Sequence, residues 1–170
     1  MMVGRDLKSF YTRDYCDLEK APVALKVEGL TQKGVFENVG FEVHKGEILG
    51  FAGLVGAGRS EIMESIFGAR KDVTGDVYLH GKKVRFKNPM EAIKAGIALV
   101  PEDRKKQGLV LGNSVSFNMT LSSLRFYMSG IAISEKKRKK VVSEYSSMLR
   151  LKAASPEVEA GSLSGGNQQK

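Results

Sequence analysis

Cysteine, histidine, proline and tryptophan are scarce in this sequence: one Cys, two His, four Pro and no Trp in 170 residues. The lone thiol, Cys16, excludes an intrachain disulfide, and a reducing cytoplasm fits. No Cys or His cluster has metal-ligand spacing, and His44 and His80 stand beside Gly or Lys in turn-like stretches (HKGE, HGKK). No apolar run approaches the roughly 20 residues that span a bilayer. The opening MMVGRDLKSFYTRD lacks the apolar core of a signal peptide. The sequence therefore predicts a soluble chain that is not exported.

What is present is enough to build a core: 42% hydrophobic and 27% charged residues, which argues against disorder over the whole length. The net charge of +8 comes from two places. Residues 82–87 (KKVRFK) carry four cations and no acid, and residues 135–140 (EKKRKK) carry five cations and one acid. A basic pI suggests nucleic acid or an anionic membrane as partner. Two short runs, however, read more simply as solvated faces of a hairpin and a helix.

Residues 1–20 mix charges without a period and read as a linker or arm. From Val23 the pattern alternates (Val23, Leu25, Val27, then Val39, Phe41, Val43), predicting a strand pair with one wet face. Ile48–Ala52 is a continuous apolar run, the mark of a strand covered on both faces. A helix is expected from about Ser60 to Phe67, then a basic hairpin with strands at 76–79 and 83–86. Asn88-Pro89-Met90-Glu91 starts another helix with a capping Asn, Pro at the first position and Glu three residues after the cap. Ile97–Val100 reads as a further short strand, so the core is α/β with parallel pairing. Beyond Gly112 the pattern turns helical: 117–128, then 134–151, where Val141, Tyr145, Met148 and Leu149 share a face and leave Lys and Arg outside. The expected organisation is 1–20 arm, 21–112 α/β core with a β subdomain, 113–162 helical subdomain and 163–170 a terminal motif.

Gly53-Leu54-Val55-Gly56-Ala57-Gly58-Arg59-Ser60 has the glycine spacing of a phosphate-binding loop, placed after a strand and opening a helix. Glycines let successive N–H groups converge on phosphate oxygens, and the helix N-terminus adds positive potential. A following Ser can place its hydroxyl on Mg²⁺. Arg59 stands where Lys is usual, keeping the charge on a larger planar group. A dinucleotide-binding loop is a poorer reading, because Arg-Ser-Glu61 follows where a third small residue is needed. The second segment, Leu163-Ser164-Gly165-Gly166-Asn167-Gln168-Gln169, alone is an ordinary loop with a helix cap.

Together the two segments resemble the ATP-binding cassette family, in which an LSGGQ-type signature follows a helical subdomain. Val100-Pro101-Glu102-Asp103-Arg104-Lys105 then occupies the place of that family's Gln-containing loop, with Glu102 where Gln is usual. GLVGAGRSE, PEDRKKQGL, Asn118-Met119-Thr120 and SLSGGNQQK are similar to the second cassette of tandem ribose- and galactose-type importers, and Met2-Val3-Gly4-Arg5 resembles the junction after a first cassette. The resemblance implies a P-loop NTPase fold of cassette type with an antiparallel β subdomain, incomplete at the C-terminus. The acidic Mg²⁺-binding strand, catalytic Glu and switch His would lie after Lys170.

The resemblance also implies ATP and Mg²⁺ as cofactors and a divided task. Gly53, Gly56, Ala57, Gly58, Arg59, Ser60 and Glu61 would line one nucleotide site, with Ser60 on the metal. Ser164, Gly165, Gly166 and Gln168 would complete the ATP site held by the preceding cassette, facing head to tail. Glu102 would pass nucleotide state to membrane permease subunits, with a sugar-binding protein acting indirectly. The expected place is the inner face of the cell membrane, peripheral and cytoplasmic. The parent would be a sugar-transporting ATPase, while these 170 residues alone would show no steady hydrolysis. Phe36 is the weak candidate for an adenine-stacking aromatic. Two other readings stand beside this one: a nucleotide-silent scaffold that presents the signature, and a soluble cassette protein acting on nucleic acid.

Overall fold

A computed structural model describes residues 20–129 and 132–170. The expected arm at 1–20, the junction-like Met2–Arg5 and Cys16 lie outside them, apart from Lys20. The described residues form two compact units, one ending at Leu99 and the other spanning Val100–Lys170.

In the first unit β1 (Val23–Gln32), β2 (Phe36–His44), β3 (Val73–Leu79) and β4 (Lys82–Val84) make one antiparallel sheet in the order β2-β1-β3-β4. The alternating apolar positions explain the pairing: Val27 stands opposite Phe41 on one side and Val77 on the other. On the opposite face Lys26 bridges Glu28 and Glu42, each at 2.9 Å, so polar residues hold the wet side in register. Both neighbours raise the Lys26 pKa, first through its hydrogen bond to Glu42. The basic run 82–87 enters the sheet through a two-residue turn, His80-Gly81, both at positive φ, the backbone that matches strand twist in a tight hairpin.

Helix α1 (Arg59–Ile66) covers the dry face. Ile62 and Ile66, one turn apart, bury against Val27, Leu30 and Phe36. Each fully buried aliphatic of this kind is worth about 2 kcal/mol. Helix α2 (Pro89–Lys94) begins as the sequence predicts. Asn88 Oδ1 accepts from the Glu91 N–H at 3.1 Å, and the Glu91 carboxylate reaches back to the Lys87 N–H at 2.8 Å.

The two expected parallel strands, Ile48–Ala52 and Ile97–Val100, do not form. Ile48 is 97% exposed and Val100 91%. A strand in a parallel sheet needs ladder partners beside it and helices on both faces. Among the described residues no strand lies alongside either run. Phe51 does find a partner, edge to face with Phe41 at 5.0 Å.

The second unit contains α3 (Val115–Leu121), α4 (Glu135–Met148), a short pair β5 (Met128–Ser129) and β6 (Ala132–Ile133), and α5 (Gly165–Gln168). The helix expected over 117–128 is shorter and starts earlier. Ser114 caps it through the Phe117 N–H at 3.1 Å, and the Ser122-Ser123 pair ends it in a 3-10 turn over Leu124–Tyr127. Along α4 only Val142 is buried. Tyr145, Met148 and Leu149, expected inside, are exposed, and Val141, Tyr145 and Leu149 border a cavity of about 810 Å³. One cation of the 135–140 run turns inward. Arg138 has a side chain only 18% exposed and reaches the buried Ser116 hydroxyl on α3 at 3.1 Å.

Candidate functional site

The loop that starts at Gly53 ends in Gly58, which sits at φ +80° as the cap of α1 (Arg59–Ile66). Gly56 is also left-handed, at φ +84°. Only glycine adopts these conformations without strain, and their result here is to swing the chain directly into α1. Gly58 is packed as well as bent: a methyl on it would lie 3.3 Å from the Val35 carbonyl and 3.5 Å from Phe36 Cβ. No side chain caps α1. The first N–H groups of any helix have no carbonyl inside it, so this end has the polarity that anions seek.

Ala57 closes a turn by donating its N–H to Leu54 O at 3.1 Å. Leu54, Val55, Gly56 and Ala57 are exposed, whereas Arg59, Ser60 and Glu61 are half-buried in the first turn of α1. The Arg59 stem leans back over the loop: its Cδ lies 3.6 Å from where a Gly53 methyl would stand. Phe36 is a core residue, 8% exposed. It supports the loop from beneath instead of offering a face to a base.

In the second unit, Asp103 caps a π-type turn over Arg104–Gly108, accepting from the Lys105 and Lys106 N–H groups at 3.0 and 3.1 Å. Glu102 precedes it on the surface. The loop 153–162 returns beside 111–116 through backbone bonds, among them Val115 N–H to Val158 O at 3.0 Å and Ala160 N–H to Asn113 O at 2.9 Å. That return places the signature turn. Ser164 starts α5 with its carbonyl accepting from Asn167 and Gln168, and its hydroxyl accepts from Asn167 Nδ2 at 3.0 Å. The hydroxyl hydrogen stays available as a donor. Ser164, Gly165 and Gly166 face solvent.

Gln168 is directed the other way. Its Nε2 donates to Ala160 O at 3.2 Å and Leu163 O at 3.1 Å, and its Oε1 accepts from Arg104 Nε at 3.3 Å. Sequence reasoning singled out neither Arg104 nor Asn118 as a contact residue. Asn118 holds Val110, Asn113 and Ser114 by four hydrogen bonds. An Asn inside a helix is the signal that could have marked it, since such a side chain usually bonds to backbone.

The family model described as ABC transporter matches residues 36–170. The chain belongs to the ABC transporter family. It is 46% identical over its whole length to the ribose import ATP-binding protein RbsA of Geobacillus kaustophilus, covering 34% of that protein. Against the protein of the same name from Lacticaseibacillus paracasei, identity is 46% over 99% of the chain and 33% of the relative. The chain thus spans about a third of the length of the curated relatives it matches. Among solved structures, a nucleotide-free ATP-binding cassette from an ABC transporter superposes with a TM-score of 0.65 at 25% identity, over 86% of this chain and 61% of that one. A cassette dimer in a post-hydrolysis state, bound to ADP and Pi, gives 0.64 at 24% identity, over 85% and 65%. The fold is that of an ABC cassette, α/β with an antiparallel sheet and helices. Among the described residues no helix is long and apolar enough to cross a membrane.

Proposed function

We propose that the chain is an ATP-binding, energy-coupling domain of a carbohydrate importer, the second of two tandem cassettes, whose signature turn completes the nucleotide site of the other. One observation carries most of this reading. A chain 46% identical to ribose import ATP-binding proteins holds both a helix-capping loop with left-handed glycines and a turn that exposes Ser164, Gly165 and Gly166.

The loop fits a phosphate group. Gly56 and Gly58 carry no Cβ toward it, the α1 terminus has no side-chain cap, and Arg59 adds a cation. Ser60 would offer its hydroxyl to Mg²⁺ beside the phosphate oxygens. When bound, Mg-ATP supplies the phosphoanhydride bond and a divalent charge against its oxygens. Gly53, Ala57 and Glu61 would shape this first site. At the second site, Ser164 would donate its hydroxyl and Gly165 and Gly166 would leave their backbone open to the γ-phosphate of the other cassette's ATP. Residues 113–162 would act as the helical subdomain. The Glu102 loop would face permease subunits at the inner side of a membrane, with the sugar chosen by those subunits and a binding protein.

A nucleotide-silent scaffold is the second reading, and the lean of Arg59 over Gly53 favours it. Titration of the chain with fluorescent ATP and Mg²⁺ separates the two. Saturable binding, weakened about tenfold by Arg59→Ala through the loss of a charge-assisted hydrogen bond, is expected. Absence of saturation up to millimolar ATP, with Arg59→Ala indistinguishable from the parent, would leave only the scaffold.

A further inference from the structure

Arg104 and Gln168 stand 64 residues apart and meet within the second unit. Gln168 spends both ends of its amide inside the protein. Nε2 holds the carbonyls of Leu163, just before the signature turn, and of Ala160 in the helical turn before that, and Oε1 takes the Arg104 Nε–H. Arg104 does more than this. Its Nη2 lies 3.1 Å from the point where a Gly165 methyl would stand. Gly165 is not among the glycines at positive φ, so its backbone alone does not call for glycine. A side chain there would meet the Arg104 guanidinium, which would have to give by a few tenths of an ångström.

The backbone of Arg104 is fixed in turn. Its carbonyl accepts from the Leu109 N–H at 2.8 Å, and the Asp103 cap holds the residues after it. One side chain therefore ties the turn that follows Glu102 to the signature: it is hydrogen-bonded to Gln168, and its Nη2 occupies the space a Gly165 side chain would need.

We infer that Arg104 is a positioning residue for the signature turn, locking Ser164-Gly165-Gly166 in register with the loop of Glu102. The inference rests on the reading of that turn as a nucleotide contact. Its mechanical half can be tested without nucleotide.

The experiment is amide hydrogen exchange and side-chain amide NMR on the ¹⁵N-labelled chain, comparing Arg104→Ala, Arg104→Lys, Gly165→Ala and the Arg104→Ala/Gly165→Ala double variant. Arg104→Ala is expected to speed exchange at the Asn167, Gln168 and Gln169 amides about fivefold, the weight of one lost hydrogen bond, while Tm falls by no more than about 4 °C. Arg104→Lys keeps the charge but places no donor at the Nε position, so it should behave as Arg104→Ala does. Gly165→Ala should shift the Gln168 side-chain signals, and that shift should vanish when Arg104 is already Ala. An equal effect of Gly165→Ala in both backgrounds, or full rescue by Arg104→Lys, would overturn the proposal. ATP turnover in a two-cassette protein carrying Arg104→Ala supplies the other half: kcat should fall at unchanged KM. Coupled exchange with turnover unaltered would uphold the mechanical link and defeat the nucleotide reading of the turn.

Discussion

Asn118 closes on the backbone of Val110, its Oδ1 accepting the Val110 N–H at 2.8 Å and its Nδ2 donating to the Val110 carbonyl at 3.0 Å. One side chain thus acts as the missing strand partner for residue 110, and its remaining bonds to Asn113 and Ser114 staple the chain just before α3. Asn118→Ala should cost about 2 kcal/mol, since these bonds are partly replaced by water. Asn118→Asp keeps the acceptor, loses the donors and sets a carboxylate against carbonyls, so it should do worse at neutral pH than at pH 4. Urea unfolding of both variants checks this, and a shift below 0.5 kcal/mol for Ala would contradict the staple.

Gly56 and Gly58 share a left-handed backbone but differ in surroundings. A methyl on Gly56 meets nothing within 4 Å, whereas one on Gly58 lies 3.3 Å from a backbone carbonyl. Gly56→Ala should therefore cost about 1 kcal/mol of backbone strain, and Gly58→Ala distinctly more. Thermal melts rank the two. Equal costs would mean that the Val35 contact relaxes freely.

Glu47 accepts the His44 N–H at 2.6 Å, and this bond, ahead of the attraction of the His44 ring, holds its carboxyl below the usual 4.5. A depressed acid stabilises the fold above its unfolded pKa and ceases to do so as pH falls through its folded one. The turn at the end of β2 should thus loosen below about pH 4.5, seen as faster exchange at the His44 amide. Glu47→Gln should exchange faster than the parent above that pH, with the difference closing as pH falls; an unchanged pH profile would exclude the carboxylate as the cause.

Arg138 buries its Nε without a hydrogen-bond partner, although its Nη groups reach Glu135 and Ser116. An unpaired buried donor costs about 1 kcal/mol or more. Arg138→Met, similar in length and with no donor to satisfy, should leave stability within about 1 kcal/mol of the parent, while Arg138→Ala opens space and loses more. Chemical denaturation of the pair decides it, and a Met variant as damaged as the Ala variant would show that the guanidinium bonds outweigh the buried Nε.

Where local pattern and local chemistry agree, the sequence is sufficient. Val27, Val39 and Phe41 alternate and the strands pair; Asn88, Pro89 and Glu91 stand at capping spacing and the cap forms. The same logic fails at Ile48–Ala52 and Ile97–Val100, where apolar runs name a strand that depends on neighbours no window of sequence contains. It fails again along α4, where the helical period is present but Tyr145 and Met148 are exposed. In the 135–140 run, charge count placed Arg138 outside, and a hydroxyl on another helix draws it in.

The sequence by itself determined the family motifs: the glycine spacing of 53–60 and the Ser-Gly-Gly of 164–166 are short-range patterns whose backbone geometry follows from the residues themselves. Only tertiary structure decided what holds those motifs in place. The hydrogen bond of Arg104 to Gln168, and the place of its guanidinium beside Gly165, depend on distances between residues far apart in the chain, which spacing does not encode.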